Sequence, residues 1–270
     1  MSGIHPTAIV APGARIGADV TIGPWSTVGP DAELGDGVTL ISHVVVDGHS
    51  KVGAGSTLYP FCTIGLAPQD FKYKGDPTRV EIGERTLIRE HVTIHRGTVQ
   101  GGGITRVGND CMIMAVVHIA HDCAIGNNVV IANNVVMGGH VRIDDYAVIG
   151  GSSALHQFVH IGRAAMVGGV TGIGGDLVPF GMAIGNRGWL AGLNLIGLRR
   201  RGYNREQVLT VRAVFKELFW GEGVFADRMD SLRAKHEGDA LIGEILAFAA
   251  SPGKRGLLTV GAQEHDEADG

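Results

Sequence analysis

Two histidines three positions apart, His118 and His121, and the aspartate directly after them, Asp122, are the side chains of this sequence best suited to chemistry. A neutral imidazole has an unperturbed pKa near 6.5, so it can take a proton from a hydroxyl group at neutral pH. A neighbouring carboxylate can orient the ring and stabilise the imidazolium that forms. Two more histidines, His140 and His156, follow further along the chain. The cluster predicts a general base at His121, with Asp122 as its orienting partner.

A six-residue repeat must position these side chains. Every sixth residue from Val10 to Ile64 is aliphatic, and the same rhythm runs through Ile82–Ile94 and Val107–Ile173, often with glycine in the next position. This period predicts a parallel β-helix: each hexapeptide forms one side, three sides complete a coil, and the aliphatic residues stack inside. Glycine tolerates the turn conformations and the close backbone approach at the corners. Equivalent positions therefore recur after three hexapeptides, one coil apart.

The hexapeptide register places the histidines along one edge of the predicted prism. The two histidines of the motif flank the interior residue Ile119, so both should lie on the outer surface. His140 and His156 should lie about one and two coils above them. No candidate nucleophile stands beside His121, because the Ser152-Ser153 pair is about two coils away. A base at this position would therefore act by direct attack of a substrate hydroxyl, without a covalent enzyme intermediate.

Two other interpretations of the histidines remain open on spacing alone. Three of them could bind a zinc ion, since a His-x-x-His pair and a third histidine one coil away can supply ligands to one metal. They could equally face solvent or be satisfied in the core, with no chemical role. The spacing favours the general base over both.

Two segments interrupt the repeat. Pro68–Thr78 fills the length of two hexapeptides with charged, polar and aromatic residues, and Gly97–Arg106 is rich in glycine. A solenoid expels extra residues as loops, and long loops on rigid scaffolds often carry binding sites. We expect the first loop to be functional and to reach over a neighbour, although a solvated loop would have the same composition. We expect the second to be a flexible bulge or a strand-end loop.

The repeat ends near Gly174–Gly175, and helical spacing follows. The predicted helices are Leu190–Arg201, Arg205–Trp220 with Asn204 as its cap, Phe225–Lys235, and Asp239–Ala249. We therefore expect a mainly β protein, with a β-helix domain over residues 1–185, a helical domain over 186–255, and a disordered acidic tail over 256–270.

Composition restricts the class of protein. A net charge of −4 gives no argument for nucleic-acid binding. The three cysteines form no closely spaced pair, which fits a reducing compartment better than a disulfide framework. No apolar run has the length of a membrane span, and no signal-like segment opens the chain. We expect a cytoplasmic protein without an integral membrane segment. Prism faces with small residues can pack on copies of themselves, so a homotrimer is the natural closure.

A basic stretch follows the repeat. It comprises Arg199–Arg201, Arg205, Arg212 and Lys216, and only Glu206 opposes it. A solvated helix face would have this composition. So would a clamp for phosphate or a dock for an acidic partner.

Several motifs together resemble one known family. They are Ser42–Val46, Gln69–Tyr73, Thr93–Gly103, His118–Cys123 and His156–Phe158. They resemble the acyl-carrier-protein–UDP-N-acetylglucosamine O-acyltransferases, which start lipid A biosynthesis, over nearly the whole chain except its last twenty or so residues. The resemblance implies a homotrimeric left-handed parallel β-helix with no cofactor and no bound metal. It also implies transfer of a long fatty acyl group, of the 3-hydroxyacyl type, from acyl carrier protein to the 3-hydroxyl of UDP-N-acetylglucosamine.

The same resemblance assigns roles to single residues. His121 would be the general base, Asp122 its orienting partner, and the backbone N–H of Gly139 the donor that stabilises the oxyanion. Gly169 falls where this family limits acyl length, and a glycine leaves the groove open. Ile196 departs from the pattern, because an acidic residue that contacts the nucleotide is expected there. The implied substrate-binding residues are Gln69, Asp70, Lys72, His118, His140, His156, Gln157, Met166, Gly169, Asn194, Arg200 and Arg201.

Three other functions are alternatives to this one. A related N-acyltransferase acts on an acylated UDP-glucosamine, but it normally carries an extra N-terminal domain, and here the hexapeptides begin by Val10. A zinc hydratase belongs to a different class and would be revealed by metal analysis. A non-catalytic scaffold is the third, and the His121→Ala variant separates it from an enzyme.

Overall fold

The computed structural model describes residues 3–261, and its first two-thirds form a three-sided parallel β-helix. Sheet A contains β1 (Gly3–Ile4), β4 (Thr21–Ile22), β7 (Thr39–Leu40), β10 (Thr57–Leu58), β13 (Leu87–Ile88), β16 (Met112–Ile113), β19 (Val130–Ile131), β22 (Val148–Ile149), β25 (Met166–Val167), β27 (Gly181–Ile184) and β28 (Trp189–Leu193). Sheet B contains β2 (Ile9–Val10), β5 (Thr27–Val28), β8 (Val45–Val46), β11 (Thr63–Leu66), β14 (Thr93–His95), β17 (His118–Ile119), β20 (Val136–Met137), β23 (Ala154–Leu155) and β26 (Gly172–Ile173). Sheet C contains β3 (Arg15–Ile16), β6 (Glu33–Leu34), β9 (His49–Val52), β12 (Arg79–Ile82), β15 (Ile104–Val107), β18 (Ala124–Ile125), β21 (Arg142–Ile143) and β24 (His160–Ile161).

The chain visits sheets A, B and C in turn, so each circuit adds one coil to the prism. Neighbouring strands run parallel and in register, apart from the antiparallel pair of β27 with β28. In sheet B, for example, Ile94 pairs with Ile119, and Ile119 pairs with Met137. These interior side chains are almost fully buried, as the six-residue rhythm predicts. The core is a continuous aliphatic column whose burial stabilises each coil through its neighbours.

Both interruptions of the repeat leave the prism at the same corner, between sheets B and C. The first loop joins β11 to β12, and the second joins β14 to β15. Since β11 pairs with β14 and β14 pairs with β17, the loops leave consecutive coils, directly below the turn after β17. The second loop contains a single 3-10 turn at Val99–Gly101. The sequence predicts two loops, and the structure shows that both emerge under the His121 turn.

The outward residues of the three sheets differ in charge. Sheet C presents cross-coil ion pairs, among them Arg15 with Glu33 at 3.0 Å and Lys51 with Glu33 at 3.1 Å. Sheets A and B instead present mostly threonine, valine, methionine and leucine at the equivalent positions. Charged side chains are stable in water, whereas uncharged faces can be buried against another protein surface at little cost.

Four helices follow the prism: α1 (Leu195–Arg200), α2 (Arg205–Trp220), α3 (Phe225–Lys235) and α4 (Ala240–Ala250). Asn204 caps α2 in a reciprocal capping box with Gln207, as predicted. The predicted helix Leu190–Arg201 is wrong over its first residues, which form strand β28. These apolar residues pair with β27 at the open end of sheet A, and this tertiary pairing overrides their helical spacing. Within residues 3–261, no helix has both the length and the apolar character that crossing a membrane requires.

The segment after α4 returns to the prism. Leu257 bridges to Asp176, and Val260 bridges to Leu190. The disorder expected from residue 256 onward therefore does not hold for residues 257–260. These residues gain backbone hydrogen bonds and bury Leu258. The rest of the predicted tail, residues 262–270, lies outside the described part of the chain.

Candidate active site

His121 and Asp122 form a buried pair at the corner between sheets B and C. The Nδ1 atom of His121 lies 2.8 Å from Oδ2 of Asp122. The His121 side chain is about 10% exposed, and the Asp122 side chain is fully covered. A carboxylate at Nδ1 favours the tautomer with its proton on that nitrogen, so the lone pair lies on Nε2. The sequence places His121 at the prism surface, and the structure covers most of its ring while keeping the pair in contact.

Thr98, in the second loop, holds the carboxylate of Asp122 from the other side. Its backbone N–H donates to Oδ1 at 2.8 Å, and its hydroxyl donates to Oδ2 at 2.6 Å. The backbone N–H of Asp122 donates to Thr105 Oγ1 at 2.8 Å. The second loop is therefore anchored to the site, which agrees with a strand-end loop and not with a flexible bulge, the two forms expected for it. Sequence reasoning did not single out Thr98, because its contact depends on the path of the loop.

His140 lies one coil above, where its N–H donates to the carbonyl of His121 at 3.0 Å. Its ring stands edge-on to His121, with centroids 5.2 Å apart, and stacks on Phe158 at 4.5 Å. Burial lowers the pKa of His140. The carboxylates of Asp122 and Asp70 oppose this shift in pKa, and the charges of His121 and Lys254 reinforce it. Asp70, in the first loop of the same chain, is near enough to His140 for its charge to affect this pKa.

Gly139 lies against the face of the His121 ring. A Cβ atom added at Gly139 would stand 2.7 Å from Nε2 and 2.9 Å from Nδ1 of His121, closer than real Cβ atoms approach. Its carbonyl accepts a hydrogen bond from Phe158 N–H at 3.2 Å. Its own N–H has no acceptor among residues 3–261. An unpaired backbone donor within the described chain therefore belongs to the residue that packs against the His121 ring.

Two more histidines line the corner below His121. Nδ1 of His118 lies 2.7 Å from the Thr93 hydroxyl, and the ring of His118 meets His95 edge-on at 4.9 Å. Burial, reinforced by the nearby His118 and His121, lowers the pKa of His95 to about 4. Burial also lowers the pKa of His118. His95 is 6% exposed, and its Nδ1 has no hydrogen-bond partner within the described chain. Sequence reasoning gave His95 no role of its own, although it stands in a quoted motif.

The upper end of the site contains His156 and Gln157, one coil above Gly139. The C-terminal segment contributes two cations here, which the sequence did not reveal. Arg255 donates to the carbonyl of Gln157 at 2.9 Å, and its Nη2 lies 3.3 Å from Nε2 of His156. Nζ of Lys254 stands 4.3 Å from the centroid of the Phe158 ring. These contacts place positive charge beside the line of histidines.

Within one chain, the predicted site residues fall into two separate groups. The group at the corner between sheets B and C comprises Gln69, Asp70, Lys72, His118, His121, Asp122, Gly139, His140, His156 and Gln157. Met166 faces outward from sheet A, and Gly169 lies at the corner between sheets A and B. Arg200 and Arg201 end helix α1 beyond β28, and Arg201 donates to the carbonyl of Tyr146 at 2.6 Å. One chain does not bring the second group to His121.

Asn194 belongs to this second group, but its side chain is used by the fold. Its Oδ1 accepts the Gly197 N–H at 2.9 Å as the cap of α1, and its Nδ2 donates to the carbonyl of Ala164 at 3.1 Å. The residue is 6% exposed. The amide of Asn194 therefore has a structural role, and the substrate contact expected for this residue stays a prediction.

The geometry of the site argues against a zinc ion bound by these histidines. Ligand atoms of His121, Asp122 and His140 lie within 4.8 Å of one another. Oδ2 of Asp122 already accepts from Thr98 and faces Nδ1 of His121, so its lone pairs are engaged. Nδ1 of His118 is likewise engaged by the Thr93 hydroxyl. The arrangement fits an oriented base better than a zinc ligand set.

Comparisons with known proteins identify the family of this chain. Residues 176–258 match the family model described as UDP N-acetylglucosamine O-acyltransferase, domain 2, and residues 104–139 match the model of the bacterial transferase hexapeptide (six repeats). The acyl-[acyl-carrier-protein]–UDP-N-acetylglucosamine O-acyltransferase of Azorhizobium caulinodans is 48% identical over 254 residues, which is 94% of each chain.

Two solved structures are similar over almost their whole length. UDP-N-acetylglucosamine acyltransferase from Campylobacter jejuni has a TM-score of 0.91 at 36% identity, covering 96% of this chain and 100% of that one. The O-acyltransferase from Moraxella catarrhalis has a TM-score of 0.91 at 39% identity, covering 94% and 99%. They confirm the left-handed parallel β-helix followed by helices. The chain is an acyltransferase that belongs to the acyl-carrier-protein–UDP-N-acetylglucosamine O-acyltransferase family.

Proposed function

We propose that this enzyme transfers a long fatty acyl group, of the 3-hydroxyacyl type, from acyl carrier protein to the 3-hydroxyl of UDP-N-acetylglucosamine, in the first step of lipid A biosynthesis. The names of its relatives supply the donor and the acceptor. The observation that carries the mechanism is the buried His121–Asp122 pair, with Gly139 packed against the His121 ring. We place the enzyme in the cytoplasm, since the cysteines within residues 3–261 are buried free thiols.

In the proposed reaction, Nε2 of His121 takes the proton from the sugar 3-hydroxyl as that oxygen attacks the thioester carbonyl. The negative charge on the carbonyl oxygen is stabilised by the N–H of Gly139. Collapse of the tetrahedral intermediate breaks the carbon–sulfur bond. The departing carrier thiolate then receives the proton that the imidazolium of His121 took from the sugar. Asp122 stabilises that imidazolium while it exists.

The surroundings of His121 support direct attack without an acyl-enzyme. Cys123 is the adjacent thiol, but it is 1% exposed and its Sγ donates to the carbonyl of Gly138 at 3.3 Å. Burial raises the pKa of the Cys123 thiol to about 12, so the reactive thiolate is scarce at neutral pH. The Ser152-Ser153 pair lies at the corner between sheets A and B, away from His121.

We propose a homotrimer in which sheet A of one subunit packs against sheet B of the next. The charged sheet C would then face water, and the uncharged sheets would be buried. The corner between sheets A and B would point to the threefold axis, and it carries exposed apolar side chains. These are Trp25, Phe61, Val116 and Val170.

This packing would unite the two groups of site residues. The His121 corner lies at the outer edge of sheet B, and Arg201 binds Tyr146 at the outer edge of sheet A. The site would form between subunits, with Met166, Gly169 and the arginines supplied by the neighbour. Arg200 is exposed and would face phosphate, and Gly169 would leave room for a long acyl chain.

The basic stretch supports a role in binding the acidic partner or the nucleotide phosphates. Arg212 and Lys216 border a cavity of about 350 Å³ between β28 and α2, whose apolar lining includes Phe215 and Trp220. Cations beside an apolar groove can hold an anionic group while a hydrocarbon portion packs below it. Ile196, 62% exposed near Arg200, gives the proposed nucleotide site an apolar surface where an acidic residue was expected.

The test combines purified enzyme, UDP-N-acetylglucosamine and acyl carrier protein thioesters of varied length. Formation of an acylated nucleotide sugar is the expected result. Its absence with every thioester would remove the proposed function. Metal analysis of the active protein separates the zinc alternative.

The role of His121 is tested by His121→Ala, which should lower kcat at least about a hundredfold with the trimer intact. The matched control is His49→Ala, an exposed histidine on sheet C, which should retain wild-type turnover. Activity of His121→Ala close to wild type would exclude His121 as the base.

A further inference from the structure

The second loop supplies a residue that acts on the catalytic pair from behind. We propose that Thr98 is a positioning residue for acyl transfer, because its hydroxyl and backbone N–H hold the Asp122 carboxylate turned toward His121. This inference rests on the proposed function, since it gives a purpose to the orientation of the base. Thr98 touches no reacting atom, and its whole effect passes through Asp122.

The contacts engage both oxygens of the carboxylate. Oδ1 accepts the Thr98 N–H at 2.8 Å, and Oδ2 accepts the Thr98 hydroxyl at 2.6 Å while facing Nδ1 of His121 at 2.8 Å. Thr98 is 3% exposed and the Asp122 side chain is fully covered, so water does not compete. Short hydrogen bonds to a charged acceptor are about twice as strong as neutral ones.

The loop around Thr98 is built to keep its hydroxyl pointing at the carboxylate. Thr98 caps the 3-10 turn, and Gly101 N–H donates to Thr98 Oγ1 at 3.2 Å. An oxygen that accepts from Gly101 has its own proton free for Asp122. Gly101 lies directly on the carboxylate, and a Cβ added there would overlap it. The other end of the insertion also touches Asp122, because Thr105 accepts its backbone N–H.

Removing the hydroxyl would leave Asp122 with a competing partner. Nε2 of His140 lies 3.8 Å from the same Oδ2, so a carboxylate released by Thr98 can turn toward His140 and away from His121. The titratable groups facing the carboxylate are His121, His140 and the buried thiol of Cys123. The Thr98 hydroxyl therefore keeps the Asp122 carboxylate directed at His121 rather than at His140.

The decisive variant is Thr98→Val, which keeps the shape and the backbone donor but lacks the hydroxyl. We expect kcat/KM to fall about tenfold to a hundredfold, mainly through kcat. Thr98→Ser keeps the hydroxyl and should stay within about threefold of wild type.

The matched control is Thr86→Val, which removes a buried hydroxyl that donates to the Gly108 carbonyl at another corner of the prism. It should leave kcat and KM unchanged, even if it lowers the melting temperature. Wild-type kcat and KM in Thr98→Val would overturn the proposal. Equal losses in Thr98→Ser and Thr98→Val would also overturn it, because the hydroxyl would then not be responsible.

Hydrogen exchange of the wild-type enzyme tests the hydrogen bond from the Thr98 N–H to Asp122, even if Thr98→Val does not fold. The Thr98 amide should exchange at least about a hundredfold more slowly than an unbonded loop amide. Exchange at the rate of a free loop amide would overturn the proposal. Failure of the wild-type enzyme to acylate any nucleotide sugar is a separate result, which removes the proposed function. The exchange measurement would still test the contact between Thr98 and Asp122.

Discussion

A single methyl group at Gly139 should disable the catalytic pair while leaving the fold in place. In Gly139→Ala the new Cβ would stand 2.7 Å from Nε2 and 2.9 Å from Nδ1 of His121. Ordinary contacts of this kind begin at 3.4 Å, so either the ring or the backbone must shift by roughly 0.5–1 Å. The ring is the freer of the two, because the backbone at Gly139 is held by the Phe158 N–H and the coil above.

The magnitude of the loss follows from this displacement. A shift of about 1 Å in a reacting group can cost on the order of a hundredfold in rate. Moving the ring also lengthens the 2.8 Å bond from Nδ1 to Asp122, which holds the tautomer. We therefore expect kcat to fall by about a hundredfold, with a change in KM of less than about threefold. Gly139 has a backbone conformation that alanine can adopt, so the melting temperature should change by no more than a few degrees.

The assay is steady-state acyl transfer with thermal melting of the same preparations. Gly151→Ala is the matched control, because Gly151 occupies the same hexapeptide position at another corner and its nearest contact would be 3.2 Å from the carbonyl oxygen of Asn133. The control should retain activity. If Gly139→Ala turned over within about threefold of wild type, the contact between Gly139 and the His121 ring would not govern catalysis.

Two further predictions concern buried and open positions. The pKa of His95 is about 4 in the folded protein, below its unfolded value near 6.5. Below pH 6.5 the unfolded chain therefore binds a proton that the folded protein does not. The free energy of unfolding should fall by as much as about 3 kcal/mol between pH 6.5 and 4. His95→Gln should reduce the drop in melting temperature between pH 7 and pH 5, and an unchanged drop would contradict this assignment; the exposed His49→Gln is its control. Gly169→Met should shift the acyl preference toward shorter chains, because a Cβ there meets only the Gly151 carbonyl at 3.4 Å and extends outward. Competition between acyl carrier protein thioesters measures this, and an unchanged length preference would count against Gly169 as the limiting position.

Local sequence signals predicted the bounds of helices that depend only on residues of their own segment. Arg205–Trp220 and Phe225–Lys235 have the predicted bounds, since a capping box and an apolar stripe act within the segment itself. Residues 190–193 were misassigned because their strand depends on a partner, β27, that local spacing does not reveal. The same limit applies to residues 257–260, whose order comes from bridges to Asp176 and Leu190.

By itself, the sequence determined the prism and the line of histidines along it. A strict six-residue period allows only a narrow set of folds, and a constant coil height converts spacing along the chain into stacking in space. The His121–Asp122 pair, His118 and His140 could therefore be placed together before any coordinates.

Only the tertiary structure decided what surrounds that pair. Thr98 reaches Asp122 through an irregular loop, Gly139 touches the His121 ring by close backbone approach, and Arg255 arrives from the end of the described chain. Irregular loop paths and contacts between distant segments follow no sequence period, so spacing does not predict them. The structure also separated Met166 and the arginines from His121, because Met166 lies on sheet A and the arginines lie at the end of helix α1.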